Sequence, residues 1–176
     1  MSFGFTGLDQ VVGLGTNAKM NEVSAAMGLT SLNMMDEVVA ANRLNYEAYS
    51  LRLAGLAGIR LLPLDDPGNY QYVIAEVTSN KLSRDHLLDA LWADGIRARR
   101  YFYPGCHRME PYASRPELPS LPVTEHLSNI VLALPTGTAI TPVEIAEICA
   151  IIRLALTNAE DVKRCLTLSH QVAAAR

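Results

Sequence analysis

Residues 15–32 read G-T-N-A-K-M-N-E-V-S-A-A-M-G-L-T-S-L, and this stretch decides how the chain is organised. A glycine-containing loop gives way at Asn21 to a helical pattern, because asparagine is a favoured N-cap and Glu22 suits the first turn. Apolar residues then recur every three or four positions toward Leu53, as one helix face requires. The spacing predicts a single helix of about thirty residues, well beyond the globular mean of about 11–12. A helix of that length is expected to bridge two domains or line a subunit interface.

Downstream of this helix the apolar period shortens, which indicates strands. Four short strands are predicted, at 59–64, 70–78, 96–103 and 130–134. Helices are predicted at 84–93, at about 123–129 and from Thr141 onward, with a helix-compatible tail. The start at Thr141 is a strong one, because threonine caps, Pro142 fits the first helical position and Glu144 completes a capping box.

This order of elements predicts an α+β fold, in which a long interdomain helix precedes a small layered domain with a mostly antiparallel sheet and flanking helices. Four parts are expected: a glycine-rich loop, the long helix, the small domain and a helical tail, at 1–20, 21–57, 58–158 and 159–176. A domain seldom begins with such an irregular loop, so we interpret the first part as the remnant of a larger upstream domain.

Composition argues against several classes of function. The net charge is −3, so the chain has no broad basic surface for nucleic acid. No apolar run reaches the roughly eighteen residues needed to cross a bilayer, and the start does not resemble a signal peptide. The cysteines are odd in number and far apart, which favours neither a disulfide framework nor a zinc site. We therefore expect a cytoplasmic protein without nucleic-acid, membrane or metal partners.

Two segments carry more polar residues than a fold needs. In the first, at 15–20, Asn17 and Lys19 precede a helix N-terminus, where backbone N–H groups and the helix dipole can bind anions. The second, at 97–112, holds four arginines, three tyrosines and a histidine. Arginine suits phosphate, and tyrosine and histidine suit sugar hydroxyls or a flat ring. Both segments also have a plain structural interpretation, as a solvated helix-start loop and a solvated strand edge.

A family resemblance rests on these two segments. The stretch at 15–32 resembles the helix-start signature of the DegT/StrS-type sugar aminotransferases. R-R-Y-F-Y-P-G-C-H-R-M-E-P-Y, at 99–112, resembles the same family's substrate loop. S-F-G-F at 2–5, L-A-L-P-T-G at 132–137 and T-P-V-E-I at 141–145 also fall where the family has their counterparts.

The resemblance implies the carboxyl-terminal part of the aspartate-aminotransferase fold and a homodimer with shared active sites. It also implies pyridoxal phosphate as the cofactor, and transfer of an amino group, usually from glutamate, to a nucleotide-linked keto sugar. Asn17 would then reach the cofactor phosphate across the dimer. Tyr101, Tyr103 and His107 would lie near the nucleotide sugar. Lys19 would bind the substrate from a position where arginine is common.

The chain departs from the family pattern in two further respects. Gly105 and Cys106 replace the usual proline and aliphatic residue of the substrate loop. The family's Schiff-base lysine lies upstream of the matched segment, and none of the chain's lysines, Lys19, Lys81 and Lys163, corresponds to it. Schiff-base catalysis needs a lysine amine over the cofactor carbon. We therefore expect that this chain alone does not transaminate.

Several functions stay open at this point. The leading hypothesis is a fragment of an aminotransferase, and a variant is one half of a split enzyme whose amino-terminal half is a separate chain. The alternatives are a non-catalytic nucleotide-sugar-binding or assembly module, and a domain whose similarity is only structural. Exposure of the apolar helix face predicts self-association, as a dimer through Val23, Met27, Met34 and Met35.

Overall fold

The chain divides into two units, Met1–Glu37 and Val38–Arg176. A computed structural model describes residues 6, 10–16, 19–64, 68–115 and 120–174. The first unit contains helix α1 (Glu22–Asn33), which begins where the sequence predicts. The side-chain oxygen of Asn21 accepts the backbone N–H of Ser24 at 2.8 Å. The predicted N-cap is therefore confirmed.

A second helix, α2 (Met35–Leu53), follows a turn at Met34, so the prediction of one uninterrupted helix is wrong. Two side chains just before the turn bond back to the helix backbone. The hydroxyls of Thr30 and Ser31 donate to backbone carbonyls four residues earlier, both at 3.0 Å. Such bonds compete with the regular helical pattern and bend helices. The boundary between the two units, after Glu37, also falls inside the segment predicted as one interdomain helix.

The second unit is built on a four-stranded sheet with the strand order β1-β2-β4-β3. The strands are β1 (Ile59–Leu61), β2 (Val73–Val77), β3 (Arg99–Arg100) and β4 (Val131–Leu134). Each neighbouring pair is antiparallel. The predicted α+β class and the antiparallel sheet are confirmed.

Helices of the second unit flank this sheet. They are α3 (Arg84–Ala93), α4 (Pro122–Ile130), α5 (Pro142–Thr157) and α6 (Ala159–Ala174). The predicted capping box opens α5: the Thr141 hydroxyl accepts the N–H of Glu144, whose carboxylate accepts the N–H of Thr141. Helix α6 occupies the predicted tail and packs against α3 and α5. No helix in the described part of the chain is both long and apolar enough to span a membrane.

Strand β3 has only two residues, although alternation predicted a strand over 96–103. The residues before it bond to the end of α3 instead. The N–H of Ile96 donates to the carbonyl of Leu91 at 2.9 Å, and Trp92 Nε1 donates to the carbonyl of Ala98 at 2.7 Å. Because these peptide groups are engaged by the helix, they do not extend the strand pairing, and the polar loop that follows starts close to the sheet edge.

The core of the second unit lies on one side of β2, where Val73, Ala75 and Val77 alternate inward. They pack with leucines of α3 and isoleucines of α5, and burial of each large apolar side chain contributes about 1.5–3 kcal/mol. Polar side chains fasten α2 to the loop after β4. Tyr49 donates its hydroxyl to the carbonyl of Pro135 at 2.9 Å, and burial raises the pKa of this phenol, which keeps it a donor.

Candidate functional site

Three aromatic rings lie together at the sheet edge formed by β3. The ring centre of Tyr101 is 5.6 Å from that of Tyr72 and 4.7 Å from that of Phe102, in edge-to-face arrangements that aromatic quadrupoles favour. We call these three residues the aromatic edge. Phe102 has a φ of 46°, a left-handed conformation that is uncommon for a residue other than glycine. At this turn the chain leaves the sheet, and the Phe102 ring stays exposed.

The aromatic edge lines a groove of about 190 Å³ together with Arg99, Arg100 and Ala133. Both arginine side chains are exposed and belong to β3. Aromatic faces accept flat rings or sugar faces, and guanidinium groups bind phosphate oxygens in pairs. The groove therefore has the chemistry to accept a ligand that combines a ring with an anionic group.

Tyr103, the next tyrosine of the loop, is held by two arginines. The guanidinium carbons of Arg84 and Arg100 lie 4.9 Å and 5.1 Å from the centre of its ring, within the range of cation–π attraction. Both arginines donate Nε–H to one oxygen, Asp85 Oδ1, at 2.7 Å and 2.8 Å. One carboxylate thus orients both cations and, through them, the Tyr103 ring, which remains 39% exposed.

Arg84 is fully buried although it carries a charge. Its Nη1 donates to the carbonyls of Ser128 and Val131, both at 2.9 Å, and so ties the start of α3 to the junction between α4 and β4. Within the described residues Nη2 has no hydrogen-bond partner. The face of the Tyr103 ring supplies negative potential to this cation, and buried charges are tolerated when they are compensated in this way.

Charge interactions set the ionisation of Asp85. Its partial burial works toward a raised pKa, but hydrogen bonds and charges from Arg100 and Arg84 outweigh burial and lower the pKa of the carboxyl below its ordinary value. The same hydrogen bond raises the pKa of Arg100. Asp85 therefore stays a carboxylate at neutral pH, between the two guanidinium groups.

His107 is anchored farther along the loop by a second carboxylate. Its Nε2 lies 3.2 Å from Glu125 Oε1, and Arg108 Nη2 lies 2.9 Å from the same oxygen. The hydrogen bonds from Arg108 and then His107 lower the pKa of Glu125. The side chain of His107 is only 9% exposed. Its imidazole is thus seated within the loop, between α4 and the loop backbone.

Gly105 makes room for this imidazole. It has a φ of 103°, and a Cβ placed on it would lie 2.8 Å from His107 Cε1 and 3.0 Å from His107 Nδ1. A side chain at this position would therefore be strained by its backbone conformation and would collide with the ring. Where the family resemblance expects a proline, the glycine lets the loop backbone lie directly against His107.

The structure brings three of the five predicted site residues onto one loop. Tyr101 is half-buried in the aromatic edge, Tyr103 is exposed beside its arginines, and His107 is nearly enclosed. Lys19 belongs to the first unit, where it is exposed just before the cap of α1. Asn17 lies outside the described residues.

Sequence reasoning missed the residues that support the loop. Arg84, Asp85 and Glu125 lie in first turns of helices, where an acidic residue reads as a helix-start signal. An arginine at the first helical position gives no sign that it is buried. Among the described side chains, no group of three or more histidine, cysteine, aspartate or glutamate residues could hold a metal.

Residues 4–153 match the DegT/DnrJ/EryC1/StrS aminotransferase family. The chain belongs to this family. It is similar to the dTDP-4-amino-4,6-dideoxy-D-glucose transaminase of Shigella dysenteriae, with 33% identity over 138 residues, or 76% of this chain and 37% of that protein. Its structure is similar to that of DesI, solved in the presence of its TDP-sugar product. The TM-score is 0.76, the identity is 45%, and the likeness covers 89% of this chain and 40% of DesI.

The same fold is found in Spr1654 from Streptococcus pneumoniae in its PLP form, with a TM-score of 0.72 and 16% identity over 85% of this chain and 39% of that one. The chain spans about two fifths of the length of the relatives it matches, as the 37% and 40% shares show. The family uses pyridoxal phosphate, which confirms the cofactor expected for the parent enzymes.

The two lysines of the second unit do not fit the Schiff-base role in that cofactor's chemistry. Lys163 lies on α6 and pairs with Glu160 at 3.0 Å. Lys81 is exposed in the turn before α3, and neither residue is part of the loop that carries Tyr101 and Tyr103. A Schiff-base lysine is held in a desolvated pocket over the cofactor. Neither lysine of the second unit is therefore placed to form the Schiff base with pyridoxal phosphate.

Proposed function

We propose that this chain is the carboxyl-terminal part of a PLP-dependent aminotransferase that transfers an amino group, from glutamate, to a nucleotide-linked keto sugar. The observation that carries the proposal is the sheet edge at β3, where Tyr101 lines a groove with Arg99 and Arg100, and Tyr103 of the following loop lies against Arg100. Family membership and the TDP-sugar product named for DesI support the same substrate class. The chain supplies substrate recognition, while the Schiff-base lysine lies outside it.

Each site residue has a role in this proposal. The aromatic edge and Tyr103 contact the nucleotide and sugar, and Arg99 contributes a cation for the diphosphate. His107 lies beside the sugar end of the site. Lys19 adds a further cation for the substrate, and Asn17 binds the cofactor phosphate. Alone, the chain binds the nucleotide sugar and does not transaminate.

The partner of the chain is a second copy in a homodimer or a separate amino-terminal half. Helix α1 has no buried residue, and its apolar side chains include Val23 and Met27, which are 72% and 67% exposed. Such a surface favours association with another protein surface. The compartment is the cytoplasm, where a reducing environment keeps an exposed cysteine such as Cys106 in the thiol form.

Calorimetric titration of the chain with dTDP and with a dTDP-linked 4-keto sugar tests substrate recognition. We expect saturable binding that Tyr103→Leu weakens about tenfold, because stacking on one aromatic ring is worth about 1–3 kcal/mol. Tyr112→Leu is the matched control, since Tyr112 is also exposed and contacts Arg115 outside the groove. Equal loss in both variants, or no binding by the wild type, would contradict the proposal.

A reconstitution experiment separates the enzyme from a binding module. The chain is mixed with an amino-terminal half that carries the Schiff-base lysine, and amino transfer from glutamate to the keto sugar is followed. Activity that needs both chains supports the proposed function. Nucleotide-sugar binding without activity in the mixture would favour a non-catalytic module instead.

A further inference from the structure

We propose that Glu125 is a positioning residue for His107, which it holds in the tautomer that carries its proton on Nε2. In this tautomer Nδ1 of the neutral imidazole is the nitrogen that can accept a hydrogen bond. This inference rests on the proposed function, in which His107 lies beside the sugar. Glu125 of α4, which is not part of the loop, thus determines the tautomer of a histidine in the loop.

The hydrogen bond defines where the proton sits. Glu125 Oε1 lies 3.2 Å from His107 Nε2, and an ionised carboxylate can only accept. The hydrogen between them therefore belongs to Nε2. In the neutral imidazole the other nitrogen carries no hydrogen, so Nδ1 is an acceptor; in the cationic form both nitrogens donate. The carboxylate thus selects one of two neutral forms that differ in what they offer a ligand.

The surroundings hold the ring in this orientation. The side chain of His107 is 9% exposed, and the backbone of Gly105 lies against Cε1 and Nδ1. Rotating the ring by half a turn would place a carbon against Glu125 Oε1 and leave the carboxylate without that N–H. The charge-assisted hydrogen bond therefore favours the observed orientation, and the close approach of Gly105 limits the room for the ring to move.

Glu125 is in turn fixed from a second side. Arg108 Nη2 contacts the same Oε1 at 2.9 Å, and the N–H of Leu121 approaches it at 3.5 Å. The carboxylate is therefore oriented by a cation of the loop and by the start of α4 before it meets the imidazole. A residue held in this way can position a neighbour without contacting a ligand.

Nitrogen-15 NMR of the full chain at neutral pH tests the tautomer directly. We expect His107 to be mainly in the Nε2–H form, while His126, which is exposed on the same helix, serves as the internal control. Glu125→Ala should move His107 toward the tautomer mixture of His126. Glu125→Gln, which keeps an oxygen acceptor, should retain more of the Nε2–H form. Wild-type His107 in the Nδ1–H form, or an unchanged tautomer in Glu125→Ala, would overturn the proposal.

Two further measurements distinguish a positioning role of Glu125 from misfolding of the variant and from failure of the proposed function. If Glu125→Ala does not fold, Glu125→Gln is measured instead. We expect its neutral amide to hold the Nε2–H less strongly than the carboxylate does, so the chemical shift and exchange rate of this hydrogen should change. Values unchanged from the wild type would overturn the proposal. Binding of a dTDP-linked sugar should weaken about tenfold in Glu125→Ala and less in Glu125→Gln. A changed tautomer with unchanged binding would leave the positioning intact and remove His107 from the substrate site.

Discussion

The guanidinium of Arg84 lies over the ring of Tyr103, with its central carbon 4.9 Å from the ring centre, although 19 positions in the chain separate the two residues. This contact joins the buried frame of the second unit to an exposed side chain of the loop. The same guanidinium donates to the carbonyls of Ser128 and Val131. The shape of the loop is therefore coupled to the stability of the fold beneath it.

Replacement of Arg84 should be costly. Arg84→Met leaves two buried carbonyls without their donor, so we expect the free energy of unfolding to fall by about 2–4 kcal/mol. Urea denaturation measures the loss. Arg99→Met is the control, since Arg99 is an exposed arginine of β3, and such substitutions change stability by about 0.5 kcal/mol or less. Similar losses in both variants would show that the buried hydrogen bonds of Arg84 contribute little.

Substitution of Gly105 should disturb His107 in particular. Gly105→Ala forces alanine into a backbone conformation that only glycine adopts readily, with φ 103° and ψ 140°, at a cost of about 1–3 kcal/mol, and adds a collision with the imidazole that costs about 1–3 kcal/mol more. Gly137→Ala is the control, because Gly137 also has a positive φ, 124°, and a Cβ at that position would have nothing within 4 Å. The difference between the two variants isolates the collision, and His107→Ala should relieve it in a double-mutant cycle. Equal costs without relief would argue against the contact.

Acid should destabilise the chain through its two anchoring carboxylates. The pKa values of Asp85 and Glu125 are lowered in the folded state, so the unfolded chain binds their protons first as pH falls. Their contribution is fully present above the unfolded values of about 4 and is lost as pH drops through the folded values. We expect the slope of stability against pH below about 4 to be shallower in Asp85→Asn and Glu125→Gln. Denaturation at several acidic pH values measures it, with the exposed Asp94→Asn as control; an unchanged slope would contradict the prediction.

Cys149 should resist thiol reagents that modify the other cysteines. Burial raises the pKa of its thiol to about 11, whereas Cys106 and Cys165 are exposed. The thiolate is the reactive form, so at pH 8 we expect mass spectrometry to find two modified cysteines in the folded chain and three in urea. The pKa of Cys149 is higher in the folded chain than in the unfolded chain. The neutral thiol therefore contributes to the free energy of unfolding at neutral pH, and this contribution declines above about pH 9. Rapid modification of Cys149 would contradict its burial.

Association of the chain should depend on α1. Light scattering at micromolar concentration should show a dimer or larger species, and Met27→Glu should shift it toward monomer by placing a charge on the apolar surface. Leu154→Glu is the control, because Leu154 is similarly exposed on α5 of the second unit. A monomeric wild type, or equal effects of both variants, would count against a role for α1.

Local patterns in the sequence determined the class of the fold and the positions of most helices. The caps at Asn21 and Thr141 were readable because their hydrogen bonds reach only three residues along the chain. The concentration of arginine and tyrosine at 97–112 likewise marked the loop that forms the candidate site. Such signals depend on neighbours within about one helical turn, so the sequence alone reports them.

Tertiary structure decided how that loop is held. The partners of Arg84 lie 44 and 47 residues away, and Glu125 lies 18 residues from His107. No local pattern distinguishes a buried arginine or an anchoring glutamate from a solvated one, because the difference arises only when the fold removes water and brings the partners together. The sequence therefore predicted Tyr101, Tyr103 and His107 as site residues. Only the folded structure shows that Arg84, Asp85 and Glu125 are the charged residues that orient the last two of these.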